Sequence, residues 1–376
     1  MTGICSIPAH NGLRVYKKAH ILASCRIPKT YPEKREALEA KEIRNLAPYA
    51  TYSYTRDPND RRAHWEEKDP FRTRFDRDSD RITFCLFSKL LEYKAQIFSA
   101  SHLIPEIPQS IFTSRKTHSN IVAKFGRSLA RSLGLNQYLA EAIGLGHDLG
   151  HLPFAHAGER AIQEATKNDI ARIGKRFRHE EWSLRVVDAL EIVEGRNISG
   201  LNLTFEVRDG IVRHCGEEVI MPLEPSQEYD LNKTALPTTL EGCLIRLADP
   251  ATFGPQDLSD LIYAGFTNLD QVPKEVKSVL GTDIRRMHKI IAKDILKHSG
   301  DKKMIAMSKE CYAALQALVQ FNLRVIKENL GEKEDELIKK IVKAYNRYKK
   351  AGFHPKRILD TFVSFTDMQL YRQLED

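Results

Sequence analysis

Residues 147–159 read HDLGHLPFAHAGE, placing three histidines, an aspartate and a glutamate in one short run. His118 precedes it and His179 follows it, so five of the chain's 13 histidines fall between positions 118 and 179. Imidazole nitrogens mixed with carboxylate oxygens suit a divalent cation such as Mg, Mn, Co, Ni, Fe or Zn, with positions left for water and substrate. His147 and Asp148 adjoin near the end of an apolar stretch and would point about 100° apart on a helix. A cation just off that helix can still meet both side chains. His151 shares the face of His147 if the helix persists. His156 and Glu159 follow a Pro-Phe turn and are placed to reach over the site as an acid/base pair. A single histidine on an apolar helix is usually structural, and an HD dipeptide alone says little. The joint pattern H…HD-x-x-H-x-P-F-x-H-x-G-E is what points to chemistry.

The elements that must position these residues read as helices. Residues 35–47 hold helix formers and no breakers. Over 118–133, Ile121, Val122, Phe125, Leu129 and Leu133 recur at helical spacing, and Gly134 follows as a stop. Asn136 caps a second helix reaching about Gly150, which Pro153 breaks. Further helical stretches are 158–167, 179–194, 204–214, 257–265, 283–298, 307–328 and 333–350. The last is charged enough to read as a solvated face. Residues 217–221 predict a brief strand, and the proline-bearing segments 99–113 and 222–238 predict loops. The fold class is all-α, one domain with a C-terminal helical extension.

Composition bounds the rest. The chain has 376 residues, 42% hydrophobic and 29% charged, which is a globular make-up. No apolar run approaches a membrane span, and the N-terminus lacks the apolar core of a signal peptide, so a cytoplasmic location is expected. The six cysteines are scattered without a C-x-x-C pair, so reduced thiols are expected and a cysteine zinc site is not. The net charge of +8 suits a polyanionic partner, or equally a basic surface that serves solubility.

HDLGHLPFAHAGE resembles the core motif of bacterial dGTPase-like HD-domain deoxynucleoside triphosphate triphosphohydrolases. Other segments resemble that family too: RTRFDRDSDRI (72–82), YKAQIF (93–98), SRKTHS (114–119), LNLTFEVRDGIVRH (201–214), LADPATFGPQDLSD (247–260) and, more weakly, ILDTFVSFTDMQL (358–370). The resemblance implies an HD-domain helical fold over 35–376, with an HD core at about 114–260 and a helical C-terminal part at 261–376. Residues 1–34 match nothing in it. It implies metal ligands His118, His147, Asp148 and Asp249, with Mg or Mn favoured. It implies acid/base and phosphate-contact roles for His151, His156, Glu159, His179 and Glu180, and a phosphate contact for Arg115. Gln96 and Asp257 match sugar-contacting positions, and Phe253 stands where a substrate-side tyrosine is frequent. The implied reaction converts a dNTP to deoxynucleoside and tripolyphosphate. A homo-oligomer, a hexamer in similar proteins, and an activating nucleotide are implied as well; Arg61-Arg62 and Lys175–Arg178 are candidate effector contacts. The chain departs from the pattern at Phe84, Thr113, Trp182, Phe253 and Gln256, positions expected near substrate.

Two other readings stay open. A different HD phosphohydrolase, acting on nucleoside monophosphates, cyclic nucleotides or guanosine tetraphosphate, needs the same ligands; its products separate it. A non-catalytic module sensing dNTPs or binding single-stranded DNA would suit the charge and the altered positions. Turnover, and its loss in His147→Ala, separates that one.

Overall fold

Hydrophobic periodicity of 3.6 residues runs through most of this chain and yields helices stacked on helices. The computed structural model describes residues 31–98, 104, 106–192, 198–215, 221–300 and 302–375. Its helices are α1 (Tyr31–Asn45), α2 (Arg74–Phe84), α3 (Leu86–Leu90), α4 (Arg115–Ser132), α5 (Gln137–Gly146), α6 (Ala155–Ala165), α7 (Ile170–Ile173) and α8 (His179–Arg185). There follow α9 (Phe205–Val212), α10 (Leu240–Tyr263), α11 (Lys274–Leu280), α12 (Ile284–Ser299), α13 (Lys309–Lys350), α14 (Pro355–Val363) and α15 (Asp367–Arg372). Extended pairing among the described residues is limited to isolated bridges such as Ala95–Ser114. The all-α fold class follows. The expected strand at 217–221 falls on residues outside those described, apart from Met221.

Helices α4, α5 and α10 form the frame of the site. Ser114 caps α4 by accepting from the Thr117 amide, and Gly134, at φ 68°, ends the turn after it. Asn136 caps α5 by accepting from the Tyr138 and Leu139 amides. The two helices approach closely because Gly144 lacks a Cβ, which would come 2.7 Å from the Ala123 Cα.

Several boundaries differ from the sequence expectation. Helix α5 stops at Gly146, not near Gly150, so His151 does not share a helical face with His147. Helix α10 starts at Leu240 and runs through Pro250 and Pro255, where only 257–265 was expected. Each interior proline costs about 3 kcal/mol, but α10 is buried over most of its length, and tertiary packing outweighs propensity. The expected helices 307–328 and 333–350 are joined in one helix, Lys309–Lys350, that runs through Gly331. Its charged half is not simply solvated: Leu337, Ile338, Ile341, Ala344 and Tyr345 are buried. Helix α2 was hidden by its charges. Arg62 pairs with Asp78, Asp78 accepts from the Thr204 amide and hydroxyl, and Arg74 pairs with Glu206. These buried ion pairs tie the 72–82 motif to the LNLT segment. They also engage Arg62, which is therefore not a free effector contact.

Candidate metal centre and active site

His118 lies one turn into α4, His147 and Asp148 just past the end of α5, and Asp249 midway along α10. The four side chains converge. His118 Nε2 is 2.9 Å from Asp249 Oδ1, and His147 Nε2 is 3.4 Å from Asp148 Oδ1 and 3.7 Å from Asp249 Oδ1. His118, His147 and Asp148 are buried, while the Asp249 side chain is partly exposed.

Hydrogen bonds on the far side of each ring fix its tautomer. His147 Nδ1 donates to the Gly144 carbonyl at 2.8 Å, and His118 Nδ1 donates to Gln256 Oε1 at 2.9 Å. Each Nε2 therefore faces the carboxylates, where it shares a proton with them or turns a lone pair to a cation. Lone pairs facing carboxylate oxygens repel unless a cation or proton lies between them. His147 Nε2 is buried and has no hydrogen-bond partner. The set of donors thus fits a divalent cation, with second-layer hydrogen bonds of the kind that orient metal-binding imidazoles.

The electrostatics agree. Burial alone would raise the Asp148 carboxyl, but His147, His151 and Arg115 outweigh it and hold the group well below the usual carboxylate range. Burial likewise opposes ionisation of Asp249, and His118 with His147 brings it down to about 2. Both carboxylates are therefore ionised and ready to ligate at neutral pH.

The other expected residues divide into those beside this cluster and those outside it. His151 Nε2 is 3.3 Å from Asp148 Oδ1, and its ring stacks on His179 at 4.0 Å between centroids. His179 Nδ1 faces Glu159 Oε2 at 3.4 Å, whereas Glu180 pairs with Arg178. Ser183 locks α8 to the HD segment by donating to the His147 carbonyl and accepting from the Gly150 amide. Helix α6 starts at Phe154 and Ala155, non-glycine residues at φ 64° and 51°, and the Phe154 amide donates to Asp367. That turn presents His156 and Glu159 to a cleft of about 490 Å³ lined also by Ile97, Arg160 and Lys327. Arg115 Nη1 pairs with Asp148 Oδ2 at 2.9 Å, so here it touches a candidate ligand. Gln96 is brought to the start of α4 by the hydrogen bond that its backbone amide donates to the Thr113 carbonyl. Phe253 lies 6.4 Å from the His118 ring. Burial, then Asp260, pushes the Asp257 carboxyl up to about 8, so it carries a proton at neutral pH. Gln96 Oε1 and Asp257 Oδ1 are buried without a protein partner.

The altered positions have these surroundings. Gln256 buttresses His118, Thr113 binds Asp260, and Trp182 is buried against Phe177. Phe84 is exposed on a separate surface cleft with Arg81 and Lys89.

Two residues escaped the sequence reading. His214 ends the LNLT segment, and its ring lies 4.8 Å from that of His147. Lys94 is fully buried and donates to the His151 and Val363 carbonyls at 2.7 and 2.6 Å. Burial lowers its amine to about 7. Both sit inside quoted motifs, which was the available signal, but their roles come from long-range contacts.

The chain is similar to known proteins over most of its length. Residues 115–251 match the HD domain. The chain is 34% identical over 309 residues to a deoxyguanosinetriphosphate triphosphohydrolase-like protein of Caldanaerobacter subterraneus subsp. tengcongensis, covering 82% of this chain and 80% of that one. A protein so named from Desulfatibacillum aliphaticivorans is 37% identical over 71% of this chain and 69% of its own length. Another from Ralstonia nicotianae is 41% identical over 61% and 54%. No helix among the described residues is long and apolar enough to cross a membrane. With its HD motif folded into one cluster and this likeness spanning most of its length, the chain belongs to the deoxyguanosinetriphosphate triphosphohydrolase-like family of HD-domain phosphohydrolases.

Proposed function

We propose that this phosphohydrolase cleaves deoxynucleoside triphosphates at the α-phosphorus, releasing deoxynucleoside and tripolyphosphate. The observation that carries the proposal is the convergence of the His118 and His147 Nε2 atoms on Asp148 and Asp249. These four residues would hold the cation. When bound, it supplies Lewis acidity to a phosphoryl oxygen and lowers the pKa of water.

The rest of the work falls to the chain. Phosphoryl transfer depends on positioning and charge neutralisation more than on covalent help. Arg115, held at Asp148, brings a fixed positive charge to the phosphates. Glu159 faces His179 Nδ1, so His179 can hold a proton for an oxygen of the departing phosphate chain. His156 borders the adjoining cleft as a neutral imidazole, since burial and Arg115 lower it to about 4, and offers a hydrogen-bond contact to the phosphates, while His151 orients His179 by stacking. Protonated Asp257 can donate a hydrogen bond to the sugar, and Gln96 Oε1 can accept one from it; Phe253 offers the ring face. Glu180 keeps Arg178 neutralised beside the site. The name of the Caldanaerobacter relative points to dGTP as one substrate.

The test is a screen of the four dNTPs, alone and mixed, with Mg, Mn and Co, followed by product analysis. Tripolyphosphate and deoxynucleoside, lost in His147→Ala, are the expected outcome. Orthophosphate from a monophosphate, or no turnover on any nucleotide, overturns it. The mixed-substrate arm also reads any dependence on an activating nucleotide.

A further inference from the structure

We propose that His179, His214 and Cys215 form a second site for a borderline-soft divalent cation, adjoining the His118 cluster, whose His147 and Asp148 lie close to His214 and His179. The three ligand atoms lie within 4.8 Å of one another. A tetrahedral ion with bonds of about 2.0–2.1 Å to nitrogen and about 2.3 Å to sulfur needs N···N near 3.3 Å and N···S near 3.6 Å. His179 Nε2 is 3.2 Å from His214 Nε2 and 3.6 Å from Cys215 Sγ. Both separations match those of ligands on one small ion.

The tautomers point the same way. His214 Nδ1 donates to the Ile211 carbonyl at 2.8 Å, so its Nε2 presents a lone pair. His179 Nδ1 faces carboxylates, Glu159 at 3.4 Å and Glu180 at 3.7 Å, so its hydrogen belongs on that side and its Nε2 also presents a lone pair. Two ring nitrogens 3.2 Å apart share either a proton or a cation, and the neighbouring Cys215 sulfur at 3.6 Å from His179 supplies the third ligand that a cation needs. The backbone that carries two of the ligands is braced, because Arg246 Nη1 donates to the Arg213 and Cys215 carbonyls. Three protein ligands leave a fourth position open. The sequence spacing hid the site, since its ligands come from the start of α8 and the end of α9 rather than from a C-x-x-C pair.

A thiolate with two imidazoles selects Zn, Co or Ni over Mg. Binding converts the Cys215 thiol to a thiolate and releases its proton to solvent. An ion there also takes the His179 nitrogen that proton transfer needs, so its occupancy sets two exclusive states of the active site.

The test titrates the full-length chain, stripped of metal, with Co(II). The wild type is expected to bind two equivalents and to develop a thiolate-to-cobalt charge-transfer band. Cys215→Ala and Cys215→Ser are each expected to bind one equivalent and to lose the band. His118→Ala is expected to bind one equivalent and to keep it, which separates this site from the first cluster. A wild type without the band, a band that survives in both Cys215 variants, or a band lost in His118→Ala overturns the proposal.

Discussion

His118 Nδ1 donates to Gln256 Oε1 across 2.9 Å, from helix α4 to helix α10, and this bond aims His118 Nε2 at Asp249. Removing the acceptor frees the ring to turn or change tautomer. Gln256→Leu is expected to weaken divalent-cation binding by about 10–100-fold, the usual effect of losing such a partner. Gln256→His, which keeps an acceptor, should retain most of the affinity. Competition with a chromophoric chelator measures both. Equal affinity in Gln256→Leu and wild type would refute the role.

Ser183 is fully buried and joins the His147 carbonyl to the Gly150 amide. Ser183→Ala leaves both backbone groups unpaired, at a cost of about 1–3 kcal/mol. The urea midpoint should fall with an unchanged slope. Turnover should fall too, since α8 carries His179.

Burial raises the Asp260 carboxyl to about 6 despite its bonds to Thr113. Between about pH 4 and pH 6 the folded chain keeps a proton that the unfolded chain has released. Stability contributed by this group is therefore present at low pH and lost as pH rises through that window, on the order of 3 kcal/mol in total. Asp260→Asn should flatten this part of the stability profile. Denaturation across pH 4–7 measures it, and an unchanged slope counts against the shift.

Gly331 sits within the 42-residue helix α13, where an added Cβ would meet only Lys327 Cγ at 3.7 Å. Gly331→Ala should stabilise the fold by about 0.5–1 kcal/mol. A loss of stability would mean that the helix is not continuous there.

The frame of the site was legible in the sequence because α4 and α5 carry clean periodicity, a stop at Gly134 and a cap at Asn136. The HD run announced itself by residue type. Asp249 came from family resemblance alone, because Pro250 breaks the local helical signal and only burial keeps α10 intact. His214 and Lys94 were not legible as site residues, and Gln256 was legible only as an altered position, not as the partner of His118. Their contacts span 35, 57 and 138 positions, and no local pattern encodes pairings at such separations.

Anomalous diffraction from crystals of the full chain grown with Mn(II) is the most direct test of the metal cluster. One ion within about 2.0–2.3 Å of His118 Nε2, His147 Nε2, Asp148 and Asp249 is predicted. An anomalous map with no peak among those four side chains, in protein that hydrolyses dNTPs, would contradict it.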